Sequence, residues 1–213
     1  MTRRVALTFD NGPSARVTDD VLAILAARDI RAIFFPVGEK LEAPGASAML
    51  DRIAAAGHAI GNHTYSHPRP FGGLSAAAAI MEIERTDILL AGRQSPEKYF
   101  RPSAGGGALK PGVLNQGVAD FLLAGGYTLV LWNLVVEDWK RPDGSWVELA
   151  LEGARRLPWT NLVLHDIPDG GMAHLDRFLD AAAAEGMRFT TDLPPETVPI
   201  HRGVLRQTID GLI

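Results

Sequence analysis

The sequence predicts an α/β fold, a distorted (β/α) barrel of about seven parallel strands, and three observations carry that reading. Short apolar runs alternate with amphipathic stretches of helical period from Val5 to Leu193; Gly or Pro closes several of them; and no linker or low-complexity segment interrupts the alternation. Nearly continuous apolar runs are the pattern of strands buried on both faces, as in parallel sheets. About seven strands with six intervening helices fall short of the eight-stranded form, so an incomplete barrel is expected, with a doubly wound open sheet as the alternative. At 213 residues the chain fits one domain, residues 1–213, with a weakly patterned tail over 194–213.

Val5 to Phe9 reads as a buried strand that Gly12-Pro13 breaks, leaving Asp10 and Asn11 at its C-terminal mouth. Thr18 is placed to cap a helix carrying Val21, Leu22, Ile24 and Leu25 and closing near Asp29. Arg31 to Gly38 reads as a second strand, Ala46 to Ala56 as a short helix stopped by Gly57, and Ala59 to Gly61 as a third strand leading to His63. His63 and His67, four apart, are expected on one side of a helical turn. Ser75 to Leu90 reads as an amphipathic helix packing Ile80, Ile83 and Ile88, and Tyr99 to Pro102 as a strand end before a loop over Ser103 to Gly107. A helix from about Gly112 to Ala124 precedes an inner strand, Tyr127 to Leu134, with Asp138 and Trp139 just beyond. Val147 to Leu157 is a helix, Asn161 to Asp166 a strand, Ala173 to Ala184 a helix, and Arg188 to Leu193 the last strand.

A net charge of -4 with no Lys/Arg cluster argues against nucleic acid as a partner, and no apolar run approaches the roughly 18 residues that span a bilayer. Without cysteine, a metal site would have to use His, Asp, Asn or water. The passage from Arg3-Arg4 straight into the first strand leaves no room for a signal-peptide core, which gives a cytoplasmic expectation. Gly105-Gly106-Gly107 has neither dinucleotide-binding spacing nor a Walker lysine.

The polar residues at strand ends are where such folds keep their chemistry: Asp10, Asn11, His63, His67, Arg101, Asp138, Trp139, His165 and Asp166 are expected at one mouth. Singly, each has a plain alternative. Asp10 can make an Asx turn, Arg101 can pair with a carboxylate, Asp138 can anchor a loop. An imidazole ending the Leu162-Val163-Leu164 run is harder to explain without a polar purpose. His58, His174 and His201 fit turn, helix and tail positions, Trp132 and Phe34-Phe35 fit the core, and Trp139 fits the wall of a sugar groove.

Five segments, in order, resemble the polysaccharide deacetylase family (carbohydrate esterase family 4, the NodB-homology domain). Thr8-Phe9-Asp10-Asn11-Gly12-Pro13 is similar to its Thr-Phe-Asp-Asp-Gly-Pro motif, and His63-Thr64-Tyr65-Ser66-His67 to its His-Ser/Thr-x-x-His motif. Arg101-Pro102-Ser103-Ala104-Gly105 matches part of Arg-x-Pro-Tyr/Phe-Gly, Asp138-Trp139 the fourth motif, and Leu162 to His165 the fifth, Leu-x-Leu-x-His, slipped by one residue. The resemblance implies a divalent metal, often zinc, held by His63, His67 and position 11. It implies Asp10 as general base, His165 as general acid, Arg101 positioning Asp10, Asp138 tuning His165, and the Ala104 backbone N–H at the oxyanion. A bell-shaped rate profile follows from that division of labour.

Two departures matter. Asn11 stands where the family has an aspartate ligand, which weakens metal binding by a charge, and Ser103 and Ala104 replace a proline and an aromatic. The expected activity is deacetylation of an N-acetylated sugar, oligomer or polymer. The alternatives are metal-independent hydrolysis of a small amide or cyclic ureide, and a carbohydrate-binding pseudoenzyme.

Overall fold

The computed structural model describes residues 2–90, 92–104, 107 and 109–213. The chain opens with strand β1 (Arg4–Asp10), helix α1 (Ala15–Ala26), strand β2 (Ile33–Phe35), helices α2 (Gly38–Leu41) and α3 (Ala46–Ala55), and strand β3 (Ala59–Ile60). Helix α4 (Ala76–Leu90), strand β4 (Tyr99–Phe100), helix α5 (Gln116–Ala124) and strands β5 (Thr128–Leu129) and β6 (Leu134–Val135) form the middle. Helix α6 (Trp146–Arg156), strand β7 (Trp159–His165), helix α7 (Leu175–Ala184), and strands β8 (Arg188–Thr190), β9 (Ile200–His201) and β10 (Val204–Leu205) complete it.

The fold is α/β with a mostly parallel central sheet. Every residue of β1 from Val5 to Asp10 is buried, which is why its apolar run is continuous. It pairs in parallel with β7 along its whole length, from Arg4 opposite Trp159 to Asp10 opposite His165. On its other edge it pairs with β8 at its start and with β2 at its end, and β3 and β6 extend the sheet in parallel. The main core lies between this sheet and helices α1, α3, α6 and α7, around Phe9, Leu25, Met49, Trp146, Leu162 and Phe178.

Of the expected distorted barrel, the described strands show a mostly parallel sheet and a second sheet beside it rather than one continuous ring. Strands β4, β5, β9 and β10 make a second sheet, in which β9 runs antiparallel to β5 and β10 antiparallel to β9, and the two sheets meet at a bridge between Asn62 and Phe100. The expected strand Tyr127–Leu134 is interrupted because the chain changes partners. Val130 N donates to Phe100 O, Leu131 N to Thr197 O, and Asn133 N to Asn161 O. The tail that looked weakly patterned supplies Thr197 and the buried Ile200 to this junction. A second core gathers Phe71, Ile83, Phe100, Leu122, Leu129 and Ile200 beneath α4 and α5.

Three element readings change. Thr18 sits within α1, buried, its hydroxyl donating to Asp166, while Ser14 precedes the helix. Helix α4 buries Ala79, Ile83, Thr86 and Leu90 but leaves Ile88 76% exposed, so its inner face is rotated from the isoleucine stripe. Helix α5 begins at Gln116, capped by the Asn115 side chain accepting from Val118 N, rather than near Gly112. The loop expected over Ser103–Gly107 includes Gly105 and Gly106, which lie outside the described residues. No described helix is long and apolar enough to cross a membrane.

His58 ties β2 to β3 as a neutral ring. Its Nδ1 accepts the Ala32 N–H at 3.1 Å, its ring meets Phe34 edge-on, and burial, with the charge of Arg31, pushes its pKa down to about 4. A base whose folded pKa is depressed costs stability once the unfolded chain begins to bind the proton. Its contribution is therefore complete above about pH 6.5 and falls as the pH drops toward 4. Equilibrium unfolding of the protein and of His58→Asn, whose amide oxygen can keep the Ala32 bond, should diverge in that window by on the order of 2 kcal/mol. Parallel pH profiles would show that His58 does not titrate with folding.

Candidate functional site

The parallel register of β1 and β7 sets Asp10 beside His165 at the same end of the sheet. Asp10 is the last residue of β1, and the chain leaves it through Asn11 in a left-handed turn with φ 70°. His165 is the last residue of β7, and Asp138 holds it twice. Asp138 Oδ2 accepts the His165 backbone N–H at 2.9 Å and Oδ1 meets the ring Nδ1 at 2.8 Å. The same carboxylate thus fixes the strand end and the ring, leaving Nε2 as the free ring nitrogen. Trp139 packs edge-on to that ring, centroids 4.4 Å apart.

Arg101 reaches Asp10 from the other sheet. It is wholly buried, its Nη1 donates to Asp10 Oδ1 at 2.7 Å and to Thr8 Oγ1 at 2.8 Å, and its guanidinium lies over the Phe35 ring at 4.2 Å. Burial by itself would raise the Asp10 pKa, but the Arg101 charge, with smaller contributions from His63 and His165, holds the carboxyl below its ordinary value. Asp10 is therefore a carboxylate with Oδ1 engaged. Its Oδ2 takes no hydrogen bond among the described residues and faces His63 Nε2 at 3.6 Å.

His63 and His67 do come together, but not on a helical turn. They lie in an irregular loop in which Thr64 (φ 67°) and His67 (φ 55°) adopt left-handed backbone, and their rings meet edge to face with centroids 4.9 Å apart. His63 Nδ1 contacts the Arg101 carbonyl oxygen at 2.8 Å. A carbonyl only accepts, so Nδ1 carries the hydrogen and the Nε2 lone pair faces Asp10. Burial lowers the His63 pKa, and burial with the neighbouring His63 and Arg69 pushes His67 down to about 3. Both rings are neutral bases.

These residues fit a divalent cation. Asn11 Oδ1 is buried without a hydrogen-bond partner among the described residues, and Asn11 lines the same cleft as the two histidines. With the His63 Nε2 lone pair turned to a carboxylate oxygen, several unpaired acceptors share one small space, which a cation would satisfy. The set is weaker in charge than three ionisable ligands. Among the described residues no group of three or more His, Cys, Asp or Glu side chains forms a metal cluster.

The cleft, about 170 Å³, is lined by Asp10, Asn11, His63, His67, Ala104, Trp139 and His165, with Arg101 and Asp138 directly behind. Ala104 N donates no hydrogen bond among the described residues. Asp166 does not join them. It is buried under α1, accepts from Thr18 Oγ1 at 2.5 Å, and burial pushes its pKa up to about 7. A Cβ at Gly12 would overlap its carboxylate, so glycine is required there.

The sequence reading missed two contributors. Trp132, assigned to the core, forms part of the cleft wall, its Nε1 donating to Gly107 O at 2.7 Å. Arg69 stands at the rim with Nε toward His67 Nδ1 at 3.3 Å, and only its place two residues after His67 could have pointed to it. Ser103, read only as a lost proline, donates to Pro68 O at 2.5 Å and ties the two loops together.

The polysaccharide deacetylase profile matches residues 1–115. The chain is similar to the peptidoglycan-N-acetylglucosamine deacetylase PgdA of Listeria monocytogenes, with 30% identity over 193 residues, covering 89% of this chain and 38% of that protein. It thus spans well under half of that relative's length. A chitooligosaccharide deacetylase of Rhizobium leguminosarum is 31% identical over 167 residues, 77% of this chain and 72% of its own length. Among solved structures, the Bc1960 peptidoglycan N-acetylglucosamine deacetylase, in complex with an N-hydroxybenzamide, superposes with a TM-score of 0.76 at 26% identity, covering 94% of this chain and 90% of that one.

Removing one member of a buried ion pair leaves the other uncompensated, so Arg101→Met should lower the unfolding free energy by about 3–5 kcal/mol in urea titrations. Adding Asp10→Asn should return part of that loss, since the stranded charge is removed. A single variant within 1 kcal/mol of the parent would show that Asp10 does not depend on Arg101.

Proposed function

The chain belongs to the polysaccharide deacetylase family, and we propose that it hydrolyses the acetamide of an N-acetylated sugar unit in an oligo- or polysaccharide, releasing acetate and a free amine. The observation that carries this reading is the pairing of Asp10 and His165 at one strand-end mouth, each held by its own buried partner, beside the acceptors of Asn11, His63 and His67.

Asn11, His63 and His67 are the residues that would hold the divalent cation, zinc or a metal of similar preference. Bound there, it supplies Lewis-acid polarisation of the acetyl carbonyl and of the attacking water. The chain's own groups divide the proton work. Asp10 Oδ2, the oxygen not engaged by Arg101, takes the proton of the water that adds to the carbonyl carbon. The C–N bond then breaks as His165 Nε2 delivers a proton to the departing nitrogen, the ring held in place by Asp138 at Nδ1. The Ala104 N–H is the backbone donor at hand for the oxygen that gains charge. Trp139 and Trp132 supply flat apolar walls suited to a sugar ring.

A second reading rests on Asn11: an uncharged donor in place of a carboxylate favours a site that cleaves a small amide without metal. Acetate release from N-acetylglucosamine oligomers, measured with added zinc or cobalt and with chelator, separates the two. On the deacetylase reading, metal stimulates release and His67→Ala abolishes the stimulation. Asp10→Asn and His165→Asn each lower kcat by about 10²–10⁴-fold, and Asn11→Asp tightens metal binding. Chelator-resistant turnover of a small amide, with no acetate from the oligomers even in Asn11→Asp, would decide for the second.

A further inference from the structure

The segment joining His63 to His67 is itself neither helix nor strand; helix α2 bonds two of its carbonyls, Gly38 N donating to Thr64 O and Glu39 N to Tyr65 O at 2.9 Å each, while three successive N–H groups in it all lead to helix α4. Glu82 Oε2 accepts Tyr65 N at 3.0 Å and Ser66 N at 2.7 Å, while Oε1 accepts Ser66 Oγ at 2.9 Å. Thr64 N donates to Asn62 Oδ1 at 2.9 Å, and Asn62 Nδ2 is anchored on Ile83 O at 2.8 Å and Asp87 Oδ1 at 2.7 Å. Asp87 in turn accepts Tyr127 Oη at 2.5 Å.

This grip matters because the segment is conformationally expensive. Thr64 and His67 are in left-handed backbone, which for a β-branched threonine is held only where the surroundings impose it. The side chain of Tyr65 is pinned from outside as well, under the Arg85 guanidinium at 3.4 Å, and Arg85 is paired to Glu42. Released from Glu82, the backbone N–H groups of Tyr65 and Ser66 lose the only acceptors they have among the described residues, on the stretch that leads directly into His67.

We propose that Glu82 is a positioning residue: by clamping Tyr65 and Ser66 it presets His63 and His67 as a ready-made pair of ligands for a divalent cation. The proposal rests on the metal reading of the cleft. It makes α4 part of the site although none of its side chains lines the cleft. Residues that orient ligands from outside typically change metal affinity by 10–100-fold when removed.

The test uses Co²⁺ alone as probe, with calorimetric affinity, amide hydrogen exchange at Tyr65 and Ser66, and thermal unfolding of the full chain. Glu82→Ala should weaken Co²⁺ binding at least tenfold and speed exchange at both amides at least tenfold, with the melting temperature within a few degrees of the parent. Glu82→Gln keeps an acceptor for both amides and a polar partner for Ser66 Oγ, and should retain affinity within about threefold. Glu82→Asp keeps the charge but is one methylene shorter, and should behave like the alanine variant; it replaces that variant if alanine fails to fold. Unchanged affinity and exchange in both Glu82→Ala and Glu82→Asp would overturn the clamp, as would Glu82→Gln falling as far as alanine. A parent protein that takes up no Co²⁺ while Glu82→Ala still exchanges faster would overturn the metal reading and the purpose assigned to Glu82, leaving the clamp as a purely structural one.

Discussion

The buried pair of Arg101 and Asp10 is the constraint on which the site depends. Asp10 ends a strand of the six-stranded sheet and Arg101 follows β4 of the four-stranded one, so the ion pair joins the two sheets where their side chains face each other. Burying two charges is costly unless their remaining hydrogen-bonding capacity is met. The arginine meets it with four bonds, to Val130 O, Leu131 O, Thr8 Oγ1 and Asp10 Oδ1, and rests on Phe35, while Asp10 keeps Oδ2 without a hydrogen bond among the described residues. Those carbonyls become available because the chain departs from a regular strand after Leu129. The irregularity in the second sheet and the orientation of the carboxylate are one feature.

From that pair the rest of the cleft follows in order. One carboxylate oxygen is held, and the other faces His63 without a hydrogen bond among the described residues. The Arg101 carbonyl fixes His63 by its Nδ1, so the opposite nitrogen turns to Asp10. The backbone N–H of Arg101 donates to Asn62 O, the residue that begins the histidine loop. A single residue therefore touches the Asp10 carboxylate directly and the histidine loop through its own backbone N–H and C=O. On the far side of the mouth Asp138 does the corresponding work for His165, binding backbone and ring at once.

Much of this was legible because apolar runs that end in a charged or imidazole side chain are conspicuous: Phe9-Asp10 and Leu164-His165 announce strand ends, and parallel pairing brings strand ends together. What the sequence could not convey was long-range. Spacing suggested a helical turn for His63 and His67, whereas bonds from Asn62 and Glu82 hold a left-handed loop. Nothing local marks the tail as an antiparallel strand, because Ile200 earns its place only by meeting Leu129. Asp166 adjoins His165 and so shared its promise, but the alternation of side chains along an extended chain sends it to the opposite side, under α1. The α4 stripe misled for a similar reason: Ile88 fits the period but faces solvent, while Thr86 is buried.

Asn11 bears on how the cleft balances its charge. Asp10 is matched by Arg101, Asp138 is bonded to His165, and Asp166 is driven toward its neutral form by burial. An aspartate at position 11 would add a second carboxylate next to Asp10, whose Oδ1 already takes the Arg101 guanidinium, and would raise the demand of the mouth for positive charge. The amide presents the same kind of oxygen without the charge, so what it leaves unmet at the mouth is a lone pair rather than a negative charge. On the metal reading proposed above, affinity would come more from geometry, through the positions of His63 and His67, than from charge.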